Sequence, residues 1–491
     1  MQGRRLMLLG MTGALPVRGE MSEMTTSEHV GDVAGSAPTL LEALRACLRG
    51  EVIDPSHGDY DMARRVWNGL IDRRPAVVVR CAGTADVVEA IRVARRYRPP
   101  VTIRGGGHQV AGSAVVDDGL TIDLSLMKGV HVDPVARTVR AQAGSTWRDV
   151  DLATQLFGLV TPGGEVSQTG IAGFTLGGGM GMLMRAHGLS CDNLRSLEIV
   201  TADGMIRTAS RAEHPDLFWA ARGGGRGLGV VTSFELDLYP LGPLVATAQI
   251  LYPYDEAAQV LRAWRDLTPT LPDTVTPELL LWTIPSDPGI PVDLQGEKVV
   301  VVAGMYAGRA EDAAPSLAPL AELATPLLDL SATVEYVQAQ SASDAAFPSG
   351  GRYFFKSQFL DELTDSAIDV VLSCDADRPN PESLIVLRTL GGAISRVADA
   401  DTAFPHRSAQ YNLSIDAGWS EPTLDPVAIG WARSSWDAMT PFSTGGVYIN
   451  FAGLGDEAGR DAVFGLAAEP LRRIQRAYDP DGVFAAAAVR P

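Results

Sequence analysis

Three glycine clusters constrain this chain more than any other feature: Arg104-Gly105-Gly106-Gly107-His108, the stretch Gly163 to Gly181, and Gly223 through Gly229. Each adjoins a segment that reads as a strand. Glycine admits positive φ and lets backbone amides approach an anion closely, so loops of this kind at strand ends suit a pyrophosphate. Tight turns alone explain any one cluster but explain three so close together poorly. A nicotinamide dinucleotide fold fails on spacing, because no cluster forms G-x-G-x-x-G opening a helix after a first strand, and no G-x-x-x-x-G-K-[ST] is present.

The 491 residues carry 41 basic and 59 acidic side chains, a formal charge of −18. Phosphate backbones need a basic face, so this balance argues against a nucleic-acid partner. With 46% hydrophobic and 20% charged residues the chain has an ordinary globular composition, long enough for two large domains or about three smaller ones. Cys47, Cys81, Cys191 and Cys374 form no C-x-x-C pair and read as reduced thiols, and no metal site is visible. No run approaches the ~20 apolar residues of a membrane helix, so no membrane partner is expected. Residues 4 to 18 have the outline of an export signal, but glycines and a proline interrupt it and no A-x-A site follows. An unstructured extension, with Met21 or Met24 as an alternative start, and a cytoplasmic location are expected; export is the alternative.

Order is expected from Thr39, where LLEALRACLRG reads as an amphipathic helix. From Pro75 the text alternates: strand AVVVRC, helix TADVVEAIRVARRYR capped by Thr84, then strands PVTIRGG, LTIDLS and TVRAQAG. Helix TWRDVDLATQLFG leads into the second glycine cluster, and strands LRSLEIVT and GVVTSFELDLYP close the unit. Beyond it, mixed strand and helix runs predict an antiparallel sheet covered on one face. The last piece reads as a strand, GGVYINF, and one helix stopped by Asp479-Pro480. The fold class is α+β, with a flexible extension over 1–38 and divisions at 39–242, 243–443 and 444–491.

His108 is the sharpest single residue, since an imidazole ending a glycine loop serves as base, metal ligand or nucleophile, and no second His or Cys lies at ligand spacing. The ordered motifs R-G-G-G-H, T-P-G-G-x-V-S-x-T-G-I-A-G, L-G-G-G-M-G, H-G-L-S-C-D-N-L, V-T-A-D-G and H-P-D-L-F-W-A-x-R-G-G-G resemble the FAD-linked oxidases of the vanillyl-alcohol oxidase superfamily. The berberine-bridge-enzyme-like branch is the nearest, and Tyr448-x-Asn450-Phe451 with Tyr478-Asp479-Pro480-Asp481-Gly482-Val483-Phe484 is similar to its C-terminal signature. The resemblance covers roughly residues 55 to 491.

The resemblance implies a two-subdomain, PCMH-type FAD-binding domain over 39–242, a substrate domain over 243–443 and a segment, 444–491, that returns to the FAD domain. It implies that Arg104, Gly105, Gly106, Gly107, His108 and Gln109 wrap the pyrophosphate, with Gly112 following, and that His108 forms an 8α-histidyl bond to the flavin. Gly164, Ser167, Thr169, Gly170, Gly173, Gly177, Gly178 and Gly181 are then the second FAD loop, with Asp192 and Asn193 nearby and Val230 on the adenine side. Tyr448 and Asn450 complete the cofactor set. Two departures matter: Val166 stands where many relatives have a second, cysteinyl attachment, and Gly227 and Leu228 replace a usual Asn and Phe. A single covalent bond is therefore expected. The usual tail N-x-N-I-x-P has become Ala486 to Pro491, which puts tail anchoring in doubt.

For catalysis, Tyr448 is the favoured base, assisted by Tyr411 and with Asn450 on the same face, taking a substrate proton while the adjacent hydrogen leaves to the flavin. Lys356, one of three lysines with Lys128 and Lys298, and Arg388, in SLIVLRTLGG, are candidate substrate-binding residues. The expected activity is oxidation of a hydroxylated small molecule, such as a natural-product intermediate of a bacterial tailoring pathway, with O2 as acceptor. A redox-neutral or oxygenating cyclisation catalyst and a flavin-binding protein without turnover remain as alternatives, with a monomer or homodimer expected in each case.

Overall fold

The computed structural model describes residues 38–286, 288–452 and 459–486. The expected extension over 1–38, apart from Pro38, and the tail after Ala486 lie outside the described residues. Thr39–Pro491 is one compact unit.

Short apolar runs bounded by turn residues build the first sheet, β1 (Glu51–Ile53), β2 (Val77–Arg80), β3 (Val101–Arg104) and β4 (Leu120–Asp123), in the order β1-β2-β4-β3. β4 runs parallel to both β2 and β3, and the helix Thr84–Tyr97 makes the crossover that such pairing requires. The cap of that helix is Gly83 rather than the expected Thr84, whose hydroxyl donates instead to Glu198 Oε1 at 3.0 Å. Thr39 and Thr146 do cap their helices, each in a reciprocal box with the acidic residue three positions on, Glu42 and Asp149.

The second sheet, order β5-β6-β10-β8-β9, contains β5 (Val130–Asp133), β6 (Thr138–Gln142), β8 (Leu194–Val200), β9 (Ile206–Ser210) and β10 (Val230–Asp237). β7 (Leu159–Val160) and β11 (Tyr239–Pro240) form a separate ribbon. One hydrophobic cluster, including Val79, Ile122, Trp147, Leu197, Phe218, Phe234 and Leu471, is shared by both sheets and the helix Ala468–Tyr478.

The third sheet is antiparallel and has eight strands: β12 (Leu244–Pro253), β13 (Val275–Thr283), β14 (Lys298–Tyr306), β15 (Leu328–Asp329), β16 (Ala332–Glu335), β17 (Arg352–Leu360), β18 (Leu384–Thr389) and β19 (Tyr411–Trp419). Helices Ala257–Leu267, Asp365–Ala376 and Asp425–Met439 pack on one face through a core including Trp264, Val371, Leu387, Leu413 and Trp431. The opposite face is formed by alternate residues of the same strands, among them Phe355, Ser357, Arg388, Ser414 and Asp416. The mixed α/β architecture with an antiparallel sheet covered on one face is as expected.

Two further local expectations fail. GGVYINF is not a strand: Ile449–Phe451 form a single 3₁₀ turn after an extended Tyr448. The final helix is broken, running Arg460–Phe464, turning at Gly465 with φ +49° and resuming over Ala468–Tyr478. A glycine in the left-handed region ends a helix where the surrounding apolar pattern alone continues it. Among the described residues no helix is long and apolar enough to cross a membrane, and no cluster of His, Cys, Asp or Glu is arranged to hold a metal.

Candidate active site

The three glycine clusters meet around one elongated cavity. Its wall includes Gly105, Gly106 and Gly107 after β3, Gly164, Gly170, Gly173 and Gly177 of the second cluster, and Gly225, Gly227 and Gly229 before β10. Glycine is required where two of these loops lie back to back: a Cβ on Gly106 would meet Gly170 N and Cα at 2.5 Å, and one on Gly170 would meet Gly106 N at 2.4 Å. Backbone against backbone cannot yield, so the pair fixes the spacing of the loops. Gly177 leaves room for a side chain from the far end of the chain, since a Cβ there would lie 2.1 Å from Asn450 Oδ1.

His108 and Gln109 both line the cavity. The imidazole is stacked on Trp67, ring centroids 4.2 Å apart at 16°, and Trp67 is stacked in turn on Tyr353 of β17 at 4.1 Å and 4°. Its Nε2 is sealed from solvent and has no hydrogen-bond partner among the described residues. Burial pushes the imidazole down to about 4, so the ring is neutral at physiological pH and keeps a free nitrogen lone pair. Gln109 donates from Nε2 to Ala452 O at 3.0 Å and accepts from Ser113 Oγ at 3.3 Å.

Tyr448 and Asn450 come together although no strand places them on one face. The Tyr448 hydroxyl oxygen accepts three hydrogen bonds, from Gly179 N at 3.0 Å, Met180 N at 3.1 Å and Asn450 Nδ2 at 2.9 Å. Asn450 Nδ2 also donates to Phe174 O at 3.1 Å. The donors stabilise a phenolate, but burial outweighs them and holds the phenol at about 12. The phenol therefore keeps its proton at physiological pH, and the three donors are in place for the anion it becomes when that proton is lost.

Arg388 reaches the same cavity from β18. It donates to Glu165 Oε2 at 3.2 Å and Ser414 Oγ at 3.1 Å, approaches Glu278 Oε2 at 3.9 Å, and lies over the Phe451 ring at 5.0 Å. The two flanking carboxylates raise its guanidinium above the ordinary range against the effect of burial. Burial, with Glu165 adding to it, raises Glu278. Asp416, 2% exposed, is pushed up to about 6 by burial and leaves Oδ1 without a partner among the described residues. This group escaped sequence reasoning because Glu165, Glu278 and Asp416 lie on three segments that only the sheet register unites. For Glu278 and Asp416 the legible signal was strand parity with Arg388 across β13, β18 and β19.

Several expected residues lie elsewhere. Tyr411 is on the helix-covered face, its ring 5.7 Å from Trp264 and its hydroxyl 3.4 Å from Thr268 Oγ1. Lys356 shares that face, its ammonium 4.3 Å from the Trp436 ring, because β17 sends its odd-numbered residues to the cavity side. Neither reaches the cavity, which corrects the expectation of a catalytic Tyr411 and a substrate-binding Lys356. The Arg104 side chain is committed to Asp123 and to the carbonyls of Ala63 and Arg65, so it anchors the loop rather than lining it. Asp192 is clasped by both terminal nitrogens of Arg407 at 2.7 Å, and Ser167 bonds Asp344 through N and Oγ at 2.7 and 2.6 Å. Gly112, Gly178, Gly181 and Val230 do not line the cavity, and Val231 lines it in place of Val230. Thr169 and Val166 are on the wall as expected, and Trp67, Phe174, Arg226 and Phe355 join them unforeseen.

Residues 75–210 match the FAD binding domain family. An FAD-linked oxidoreductase of Bacillus subtilis is 29% identical over 444 residues, spanning 89% of this chain and 96% of its own. The crystal structure of 6-hydroxy-D-nicotine oxidase from Arthrobacter nicotinovorans superposes with a TM-score of 0.78 at 25% identity, covering 89% of this chain and 96% of that one. The structure of the berberine-bridge-enzyme-like protein 1 of Physcomitrella patens gives a TM-score of 0.82 at 22% identity, covering 91% of this chain and 98% of that one. A glycine-walled cavity, a match over 75–210 to the FAD binding domain family and likeness of sequence and fold over most of the chain agree: residues 75–210 are an FAD-binding domain, and the chain is similar to FAD-linked oxidoreductases whose structural neighbours lie in the vanillyl-alcohol oxidase/PCMH flavoprotein superfamily.

Proposed function

We propose that this chain is an oxidase that holds FAD covalently through His108, removes hydrogen from a hydroxylated small molecule and passes the electrons to dioxygen, giving hydrogen peroxide. The observation that carries it is the convergence of three donors on the Tyr448 hydroxyl, in the same cavity as His108. The residues present fit FAD: the cleft is walled by glycine backbone, and His108 offers a buried, neutral ring with an orphaned nitrogen. His108 is the attachment residue. Val166, also on the wall, cannot form a thioether, so the link is single. Residues 39–242 and 444–491 hold the flavin, and 243–443 supply the wall that meets the substrate.

FAD, when bound, supplies the two-electron acceptor that lets a CH–OH group become a ketone or lactone. Tyr448 takes the substrate's O–H proton as a phenolate: the three donors on its oxygen stabilise that anion, and the transfer leaves the neutral phenol. Phe347, Phe355 and Phe451 give an apolar, aromatic approach to this point, and the neutralised Arg388–Glu165 pair marks its polar end.

Asp416 favours a second assignment of the base. Its carboxylate, at about 6, is ionised at neutral pH and faces Arg388. A kcat/KM profile that rises through pH 6 and flattens in Asp416→Asn assigns the proton to Asp416. A profile without that limb leaves it with Tyr448.

The test is oxygen uptake and peroxide release with hydroxylated aromatic and polyketide-like compounds. One peroxide per oxidised product is expected, with Tyr448→Phe lowering kcat by about 10²–10⁴ while the flavin spectrum persists. Product without peroxide contradicts the oxidase assignment and favours a redox-neutral cyclisation.

A further inference from the structure

The charged groups on the cavity wall balance in all but one place. Glu165 and Arg388 pair with each other, and His108 is neutral. Arg226 also lines the wall, yet among the described residues its guanidinium makes no hydrogen bond or ion pair, and no carboxylate contributes to its electrostatics. Burial alone acts on it, pulling it down to about 10, so it remains a cation at physiological pH. A guanidinium facing an enclosed space without a counter-ion is costly unless that space receives an anion.

The backbone around Arg226 is built to aim it. Gly225 and Gly227 have φ of +74° and +92°, so the chain turns sharply on either side. Gly225 N donates to Leu176 O at 2.8 Å, and the Arg226 carbonyl accepts from Gln475 Nε2 at 2.9 Å. These bonds hold the main chain at both ends of the turn and leave the side chain to the cavity. Ile199, Leu228 and Val231, which line the same cavity from β8, the loop before β10 and β10, are apolar. Arg388 and Phe451 belong instead to the wall met by the eight-stranded sheet and the 3₁₀ turn.

We propose that Arg226 is a phosphate-binding residue of the cofactor cleft, its guanidinium forking onto the diphosphate bridge of FAD. This rests on the FAD assignment above. A planar guanidinium offers parallel donors to two phosphate oxygens, whereas the surrounding glycine loops offer single amides. In a chain of net charge −18 it supplies the local positive charge that a dianionic bridge needs on entering.

The test titrates FAD and riboflavin into the full chain carrying His108→Ala, so that binding is reversible, with Arg226 intact or changed to Gln or Lys. With Arg226 intact, FAD binds more tightly than riboflavin and weakens with added salt. Arg226→Gln is expected to weaken FAD by about 10- to 100-fold, the range for a hydrogen bond to a charged group, and to flatten its salt dependence. Riboflavin affinity stays within about twofold, and Arg226→Lys falls between. Equal weakening of both ligands, or of neither, overturns the proposal. If the Arg226-intact protein does not prefer FAD over riboflavin, the FAD assignment itself fails. Should Arg226→Gln not fold by circular dichroism, Arg226→Lys decides, because loss of the fork alone must still weaken FAD selectively.

Discussion

At the scale of single residues the site depends on how one imidazole is held. Trp67 lies flat between His108 and Tyr353, and its own indole Nε1 donates to Phe347 O at 2.9 Å, so it cannot turn without losing two stacks and a hydrogen bond. Stacking fixes the ring plane without protonating it, which a carboxylate neighbour would not achieve. Trp67→Ala is therefore expected to lower the acid-stable flavin fraction several-fold, with Trp67→Phe restoring part of it. Flavin content before and after acid precipitation measures this, and an unchanged covalent fraction would show that the stack plays no part in attachment. His108 was legible in the sequence because it ends a glycine loop. Trp67 was not, since it precedes that loop by some forty residues and only the fold stacks them.

At the scale of elements, the close pair Gly106 and Gly170 decides how near two loops approach. Gly170→Ala places a methyl group on backbone atoms of Gly106, with no flexible side chain to move aside. The loops must part, and the variant is expected to lose FAD binding while Gly173→Ala, whose Cβ would meet nothing within 4 Å of protein, still folds. Flavin-to-protein absorbance ratios of the two purified variants check this. Strands showed how far periodicity carries. The alternation in SLIVLRTLGG correctly gave Arg388 the same face as Leu384 and Val386, and the structure puts that face on the cavity. The same rule, applied without knowing strand direction and neighbour, could not tell that Tyr411 and Lys356 face the helices. For GGVYINF the alternation gave the right pairing of Tyr448 with Asn450 for the wrong reason, because a 3₁₀ turn and a hydrogen bond bring them together.

At the scale of the whole molecule, the segment Trp67–Gly69 stitches the first glycine loop to β17. Asn68, fully buried, donates from Nδ2 to Val110 O at 2.7 Å and Tyr353 O at 2.8 Å and accepts from Tyr353 N at 3.0 Å. Nothing in the sequence marks Asn68, because its partners lie on distant segments. The fold also carries a buried liability. Asp151, 1% exposed, is pushed up to about 8 by burial, against the smaller lowering effect of the neighbouring Gln340 side chain. The folded state therefore holds a proton that the unfolded chain gives up near pH 4, so stability falls as pH rises from about 4 to about 8. Asp151→Asn is expected to raise Tm more at pH 8 than at pH 5, by about 1 °C for each kcal/mol relieved in a chain of this length. Thermal melts at both pH values check it, and an equal shift at the two would remove the titration from the account. The central claim, a flavin held by His108, is tested most directly by acid-precipitating the purified protein and mapping its peptides, for the wild type and His108→Ala. The account predicts yellow flavin in the wild-type pellet, on the peptide containing His108, and none in the variant's. Flavin released wholly into the wild-type supernatant would contradict it.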